Sequence, residues 1–282
     1  MIFISKNREF FFDSSGNKIE LDETGRVFSS NIKTKIFSNK KIIFADFDGL
    51  LAHSFWRSQE LTLFNNYNHM YKKPILDFGC GDGSFSSCIF KKLEYGVDID
   101  EKAMKEARLR GTYSSLVHYD DLYKRIKKNS ISTILSCSVL EHTHDVRDCI
   151  NKINSLLKKN GKFYLSVPNA TFSLQLDQLG GNGFSKNINQ RMSHRNLFNL
   201  HQWKELLINN NFKIIKIINF QPIMFTSNYF KYSFFSRKIL GRFKFLYNLY
   251  FKWILPDIYK QVEDSICNTT EGANFFIIAE KK

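Results

Sequence analysis

The chain has 282 residues, enough for one large domain with appendages, and its 43% hydrophobic content suits a protein with a buried core. Lys and Arg number 41 against 27 Asp and Glu; the formal charge of +14 either favours an anionic partner or reflects a composition rich in Lys, Asn, Ile and Phe. No uncharged stretch reaches the roughly 20 residues of a membrane-spanning helix, and the apolar runs between Met1 and Phe12 are too short for a signal peptide, so an integral membrane protein is excluded and a cytoplasmic, at most peripheral, protein is expected.

Residues 1–70 read as short strands and turns leading into a helix. Phe10–Phe12 precede a Ser14-Ser15-Gly16-Asn17 turn, Lys18 to Asp22 alternates, and Thr24-Gly25 turns again. Ile42 to Ala45 is apolar, and a helix is expected over Ser54 to Tyr71. From Pro74 onward the rhythm changes to strand and helix in alternation. Pro74-Ile-Leu-Asp-Phe78 is a short buried strand, Ser84 to Lys92 a helix, Tyr95 to Asp98 a strand, and Glu101 to Arg110 a helix closed by Gly111. Tyr113 to Tyr119 and Ile131 to Cys137 read as strands. Asp145 to Lys159 has helical apolar spacing and ends at Asn160-Gly161, and Lys162 to Val167 is a further strand. Such alternation means a mostly parallel sheet covered by helices. Residues 218–273 break the rhythm with Phe and Tyr interleaved by Lys and Arg, and Asn274 to Ala279 supplies a last strand. The expected division is a β-rich cap with its linking helix at 1–70 and an α/β domain at 71–282, with 218–273 as an insertion.

The chemistry centres on Asp77-Phe-Gly-Cys-Gly-Asp-Gly83, between a strand and a helix. Gly79, Gly81 and Gly83 let the backbone turn sharply and let a ligand approach closely, and a helix N-terminus offers unpaired N–H groups. A dinucleotide fingerprint would want glycine where Ser84 stands. Asp98 closes the next strand about 20 residues on, where an acid can accept both hydroxyls of a ribose. Asp120 and Asp121, after the third strand, offer acceptors for an adenine amino group.

These blocks continue in order through Val139-Leu-Glu-His142 and Leu156-Leu-Lys-Lys-Asn-Gly161 to Val167-Pro-Asn169. The set, over residues 74 to about 217, resembles the class I S-adenosylmethionine-dependent methyltransferases. The resemblance implies a Rossmann-like, doubly wound, seven-stranded and mostly parallel sheet. It implies S-adenosylmethionine as cofactor, with Gly79, Gly81 and Gly83 along the methionine moiety and Asp77 near its amino group. Asp98 would hold the ribose and Ile99 would lie against the adenine. Asp120 or Asp121 would take the adenine amino group, Leu122 would cover the ring, and Ser138 would sit near the sulfonium.

Methyl transfer needs mainly alignment of an acceptor lone pair behind an already activated methyl group. A hydroxyl acceptor also benefits from a base, for which His142, at the family-matched position, and His194, in Arg191-Met-Ser-His-Arg195, are the candidates; local packing is the competing reading of both. Relatives acting on ubiquinone precursors use Glu-x-x-Glu-His for a metal. Here Ser138 replaces the first Glu, so no metal is expected.

The small-molecule branch of the family implies an oxygen acceptor on a sugar or a lipid-linked glycan precursor, as in polysaccharide biosynthesis. A nucleic-acid methyltransferase is the alternative, although Ser136-Cys-Ser-Val139 stands where base-amino methylation carries its Pro-Pro block. A non-catalytic binding protein of the same fold is a second. The insertion, with Lys231, Arg237 and Lys238 among Phe230, Phe234 and Phe235, reads as a lid, an element at an anionic membrane surface, or a nucleic-acid contact. Asp46-Phe-Asp48 resembles the paired-Asp loop of haloacid-dehalogenase phosphatases, but Leu50 departs from that pattern and no room remains for the rest of that fold. Cys80, Cys88, Cys137, Cys149 and Cys267 are odd in number and form no Cys-x-x-Cys pair, so they read as reduced thiols.

Overall fold

The computed structural model describes residues 42–47, 51–238 and 244–282, together with the backbone of five short strands before residue 39; side chains 234–252 lie outside the description. The first four strands, β1 (Phe3–Ser5), β2 (Arg8–Phe12), β3 (Lys18–Leu21) and β4 (Val27–Phe28), pair antiparallel in sequence order. β5 (Lys35–Ser38) and β6 (Ile43–Asp46) form an antiparallel hairpin, and α1 (Leu51–Asn66) follows. Thus the strand before Asp46 sits in a two-stranded hairpin and not in a parallel phosphatase sheet. Asp48 lies outside the described residues.

The α/β domain comprises β7 (Ile75–Phe78), α2 (Ser84–Ser87), β8 (Leu93–Asp98), α3 (Glu101–Arg110), β9 (Tyr113–His118), α4 (Leu122–Arg125), β10 (Ile131–Cys137), α5 (Val146–Leu156) and β11 (Leu157–Pro168). It continues with α6 (Ala170–Gly180), α7 (Phe184–Arg191), α8 (Leu200–Asn209), β12 (Phe212–Phe220), α9 (Ile223–Lys238), α10 (Lys244–Ser265) and β13 (Asn274–Lys281). The seven strands of the main sheet run in the order β12-β13-β11-β10-β7-β8-β9. All its pairings are parallel except those of β13, which lies antiparallel between β11 and β12. The order reverses at β7 and β10, so the loops after these two strands diverge and open a crevice at the carboxyl edge of the sheet.

Local sequence explains most element ends. α3 starts at Asp100, whose side chain accepts from the Lys102 and Ala103 N–H groups, and stops at Gly111 with φ +71°. α5 carries Val146, Cys149, Ile150, Ile153 and Leu156 on its buried face. Two helices are shorter than their apolar spacing predicts. α2 spans only Ser84–Ser87, and α5 ends at Leu156 because Leu157 already pairs with Ile131. The register then slips between Ile131 and Thr133, with Asn160 at φ +61°.

The aromatic insertion begins after Phe220, since β12 runs through that residue beside β13. Its described parts are docked. Phe225, Ile254, Ile258 and Val262 share a core with Ile42, Phe44, Leu51 and Phe55, and Phe55 stacks on Phe225 with ring centroids 4.0 Å apart. A buried polar knot fixes the start of α9. The Thr226 hydroxyl donates to Gln175 Oε1 at 2.6 Å and accepts from Gln221 Nε2 at 3.0 Å. Among the described residues no helix is long and apolar enough to cross a membrane. Because Phe225 is 2% exposed, Phe225→Ala should lower the unfolding free energy in urea titration by about 3–5 kcal/mol. A loss below about 1 kcal/mol would show that the insertion does not dock on α1.

Candidate active site

The glycine turn between β7 and α2 is built from left-handed backbone: Gly79, Gly81 and Gly83 have φ of +81°, +53° and +75°. At Gly79 a methyl group would meet Val139 Cγ2 at 2.3 Å, so the turn lies directly against the segment that follows β10. At Gly81 an added methyl would meet nothing within 4 Å, and the backbone there faces open space. The Gly81 N–H donates to Asp98 Oδ2 at 2.7 Å, and the Asp100 N–H donates to Asp98 Oδ1 at 2.9 Å. One carboxylate therefore ties the turn after β7 to the end of β8. Each of its oxygens keeps a lone pair for a further donor.

Asp77 lies beneath the turn, 6% exposed, with Oδ2 accepting from the Ser86 and Tyr113 hydroxyls, both at 2.6 Å. Burial raises its pKa from 3.8 to about 6 against the pull of these hydrogen bonds. Oδ1 has no partner among the described residues.

Beyond Asp98 the side chain of Ile99 is 70% exposed. The Asp120 carboxylate is also exposed, near His118 Nδ1 at 3.6 Å, whereas Asp121 is held by Lys124 at 2.8 Å. Leu122 corrects one expectation: it is 1% exposed inside the main core, so it has no face to lay over a purine ring.

Ser138 follows β10 at φ +53°, a strained value for a residue with a side chain. Its hydroxyl does not face open space. It donates to Glu60 Oε1 at 2.5 Å, which also accepts from the Ser166 hydroxyl at 2.9 Å. Glu60 Oε2 pairs with Arg57 Nη1 at 2.7 Å. Burial works against both charges, but the pair offsets it: Glu60 is held below the usual carboxylate range and Arg57 above its own. This buried pair, carried by α1 to the crevice, escaped sequence reasoning. Its one signal was two opposite charges at i and i+3 in a segment whose only other ionisable side chain is His53.

Two further expected residues come together. Glu141 is 2% exposed in its side chain, and its Oε1 lies 3.6 Å from His142 Nε2. The His142 and His194 rings have centroids 5.2 Å apart, and His194 lies 5.7 Å from Phe172. Phe172 in turn meets Trp56 of α1 edge to face at 5.8 Å. Burial, with His142 adding to it, lowers the His194 pKa from 6.5 to about 4, so its imidazole is neutral at pH 7. The loop bearing His194 is clamped to the one bearing His142. The N–H groups of Arg195 and Asn196 donate to the Glu141 carbonyl at 2.7 and 3.1 Å, and Asn196 Nδ2 donates to the Leu140 and Thr143 carbonyls.

A doubly wound sheet with its switch point at a glycine turn, and an acid closing the next strand, defines a nucleoside-binding α/β enzyme. The chain belongs to the methyltransferase-domain family, whose model matches residues 52–217. It is 28% identical over 116 residues to a ubiquinone biosynthesis O-methyltransferase of Histophilus somni, covering 37% of this chain and 49% of that protein. The chain thus spans about half the length of that curated relative.

Its fold is similar to that of a S-adenosylmethionine-dependent methyltransferase from Thermotoga maritima described as a possible histamine N-methyltransferase. The TM-score is 0.54 at 17% identity, over 83% of this chain and 92% of the other. It is also similar to a plantazolicin methyltransferase solved with S-adenosylhomocysteine, with a TM-score of 0.52 at 16% identity over 81% and 86% of the two chains. The chain is thus a member of a methyltransferase family, and solved structures that share its fold are S-adenosylmethionine-dependent methyltransferases. Open space at Gly81, the lone pairs on Asp98 and exposed Ile99 fit that cofactor.

Two measurements probe this geometry. Gly79→Ala must move Val139 and adopt a strained φ, so it should cost about 1–3 kcal/mol of stability in urea titration; an unchanged midpoint would contradict the close packing. Asp77 binds its proton more tightly folded than unfolded, so its contribution is present below pH 4 and is lost as pH rises through about 6. Relative to Asp77→Asn, the ligand-free wild type should lose on the order of 2 kcal/mol of stability between pH 4 and pH 6. A pH-independent difference would show that Asp77 is not desolvated.

Proposed function

We propose that this methyltransferase acts on an oxygen of a small-molecule acceptor, a sugar or lipid-linked glycan precursor. In this reading Gly79, Gly81 and Gly83 lie along the methionine moiety of S-adenosylmethionine, and Asp77 Oδ1 faces its amino group. Asp98 accepts from the ribose hydroxyls, Ile99 lies against the adenine, and Asp120 takes the adenine amino group because Lys124 already holds Asp121. Ser138 positions the segment at the sulfonium end through its bond to Glu60.

The observation that carries an oxygen acceptor is the pair of imidazoles beside a buried carboxylate, His142 on the segment packed against the glycine turn and His194 on the loop clamped to it. A hydroxyl placed between turn and imidazoles loses its proton to a ring nitrogen as the methyl group transfers, which is where a base accelerates methylation. The curated relative named for O-methylation supports the same choice. A lipid-linked acceptor accords with exposed Met224, Lys231 and Trp253 on the insertion of a basic protein.

Extracts of a cell producing this protein, divided into lipid, glycan, RNA and small-molecule fractions, are offered with tritiated-methyl S-adenosylmethionine. Label should enter the glycan or lipid fraction in alkali-stable methyl ether form. His142→Ala and His194→Ala should each lower turnover about 100-fold or more while leaving cofactor affinity by calorimetry unchanged. Label confined to RNA, or full turnover in both variants, would refute the reading.

A further inference from the structure

We propose that the amino edge of the main sheet, opposite the crevice, binds the phosphate backbone of a nucleic-acid duplex. This goes beyond the proposed function and does not rest on it, since the duplex is held and not methylated. The parallel strands all begin at this edge, and lysine pairs stand at most of their starts. Lys72-Lys73 precede β7, Lys91-Lys92 precede β8, and Lys127-Lys128 lie between α4 and β10. Lys158-Lys159 stand at the start of β11 and Lys213 at the start of β12. β13 runs the other way, so its end brings Lys281-Lys282 to the same edge.

Far apart in sequence, these pairs become one row in the sheet order β12-β13-β11-β10-β7-β8. At about 4.8 Å per strand the row is about 24 Å long. Lys73 meets Glu94 at 3.2 Å, Lys92 donates to the Gly111 carbonyl at 3.0 Å, and Lys281 donates to Asn129 Oδ1 at 2.8 Å. Lys72, Lys91, Lys127, Lys158, Lys159 and Lys213 are exposed and meet no carboxylate among the described residues. Glu94 and Glu280 are the acids in these segments, and both are half-buried. The carboxyl edge carries the opposite charge, with Asp98, Asp120 and Glu141 around the crevice. A polyanion is drawn to one end of the sheet and repelled from the other, which keeps a bound duplex away from the methyl group.

The form of the row selects its occupant. Lysine ammonium groups are point charges that meet phosphates without reading bases. Tyr123, an exposed ring beside the row, already has Lys128 Nζ over it at 4.9 Å, so it offers no stacking surface for the bases of a single strand. The strands of a sheet twist by about 20–25° from one to the next, so the row follows a curved path. A duplex backbone is curved as well, whereas a planar bilayer would touch part of the row at a time. The net charge of +14 therefore has a place in the fold, and it lies at the far end of the sheet from the aromatic insertion, where sequence reasoning sought it. No single loop shows the row, because each contributes two lysines or fewer and the sheet topology aligns them.

The test titrates the full chain, without an affinity tag, into fluorescein-labelled RNA and DNA duplexes of about 16 base pairs at about 50–200 mM KCl, followed by anisotropy. The logarithm of affinity should fall against the logarithm of salt with a slope of about −4 or steeper, as four or more phosphates are neutralised. The duplex bound more tightly identifies the source as RNA or DNA. Lys91→Gln with Lys92→Gln, and Lys127→Gln with Lys128→Gln, should each weaken binding about 10-fold and flatten the slope by about 1–2. Lys231→Gln with Lys260→Gln, on the insertion, should change neither. These side chains are exposed, and calorimetry with S-adenosylmethionine checks that each variant keeps its fold. Phosphatidylglycerol vesicles should not sediment the chain at the salt where duplexes bind. No duplex binding at about 50 mM KCl, binding that both row variants leave unchanged, loss in the insertion variant, or retention by vesicles in place of duplexes overturns the proposal. Any of these leaves the oxygen-acceptor reading standing, because that is judged by label and turnover.

Discussion

The Asp98 carboxylate is the point on which the site depends. It receives the Gly81 N–H through Oδ2 and the Asp100 N–H through Oδ1. A glycine-rich turn with three left-handed residues has many conformations open to it and loses much entropy on ordering. The charge-assisted bond from Gly81 selects one of them and holds the turn over the carboxyl edge of the sheet. The same bond leaves the outer lone pairs of Asp98 facing the crevice. The turn and the acid are therefore one object, and neither keeps its shape without the other.

Around that object the fold assembles walls from distant parts of the chain. Val139, pressed on Gly79, brings Ser138, Glu141 and His142 to the crevice. α1 contributes the Arg57–Glu60 pair, which ties the helix to the ends of β10 and β11 through Ser138 and Ser166. Breaking such a pair by removing one partner strands a buried charge. The insertion in turn holds α1 through the Phe55–Phe225 stack. A continuous chain of contacts thus runs from the insertion through α1 to the floor of the site.

Much of this was legible in the sequence because it is local. Glycines at 79, 81 and 83, the acid at 98 and the Gly111 stop of α3 follow from backbone chemistry within a few residues. The sheet was legible because buried strands such as Ile131 to Cys137 carry β-branched, apolar runs. What was not legible is non-local. Nothing near Ser138 shows that its hydroxyl meets Glu60, 78 residues earlier. Nothing near Leu122 separates a residue that faces the core from one that faces a ligand. The early end of α5 follows from Leu157 pairing across to Ile131, a sheet contact that overrides the helical apolar spacing.

The central claim is that Asp98 serves both the turn and the nucleoside. Calorimetry of S-adenosylhomocysteine binding to the wild type and to Asp98→Ala, with folding confirmed by circular dichroism, tests it most directly. The account expects binding of the nucleoside to fall by about 100-fold or more, since both ribose hydrogen bonds and the ordered turn are lost. A folded Asp98→Ala protein that binds with wild-type affinity would contradict it.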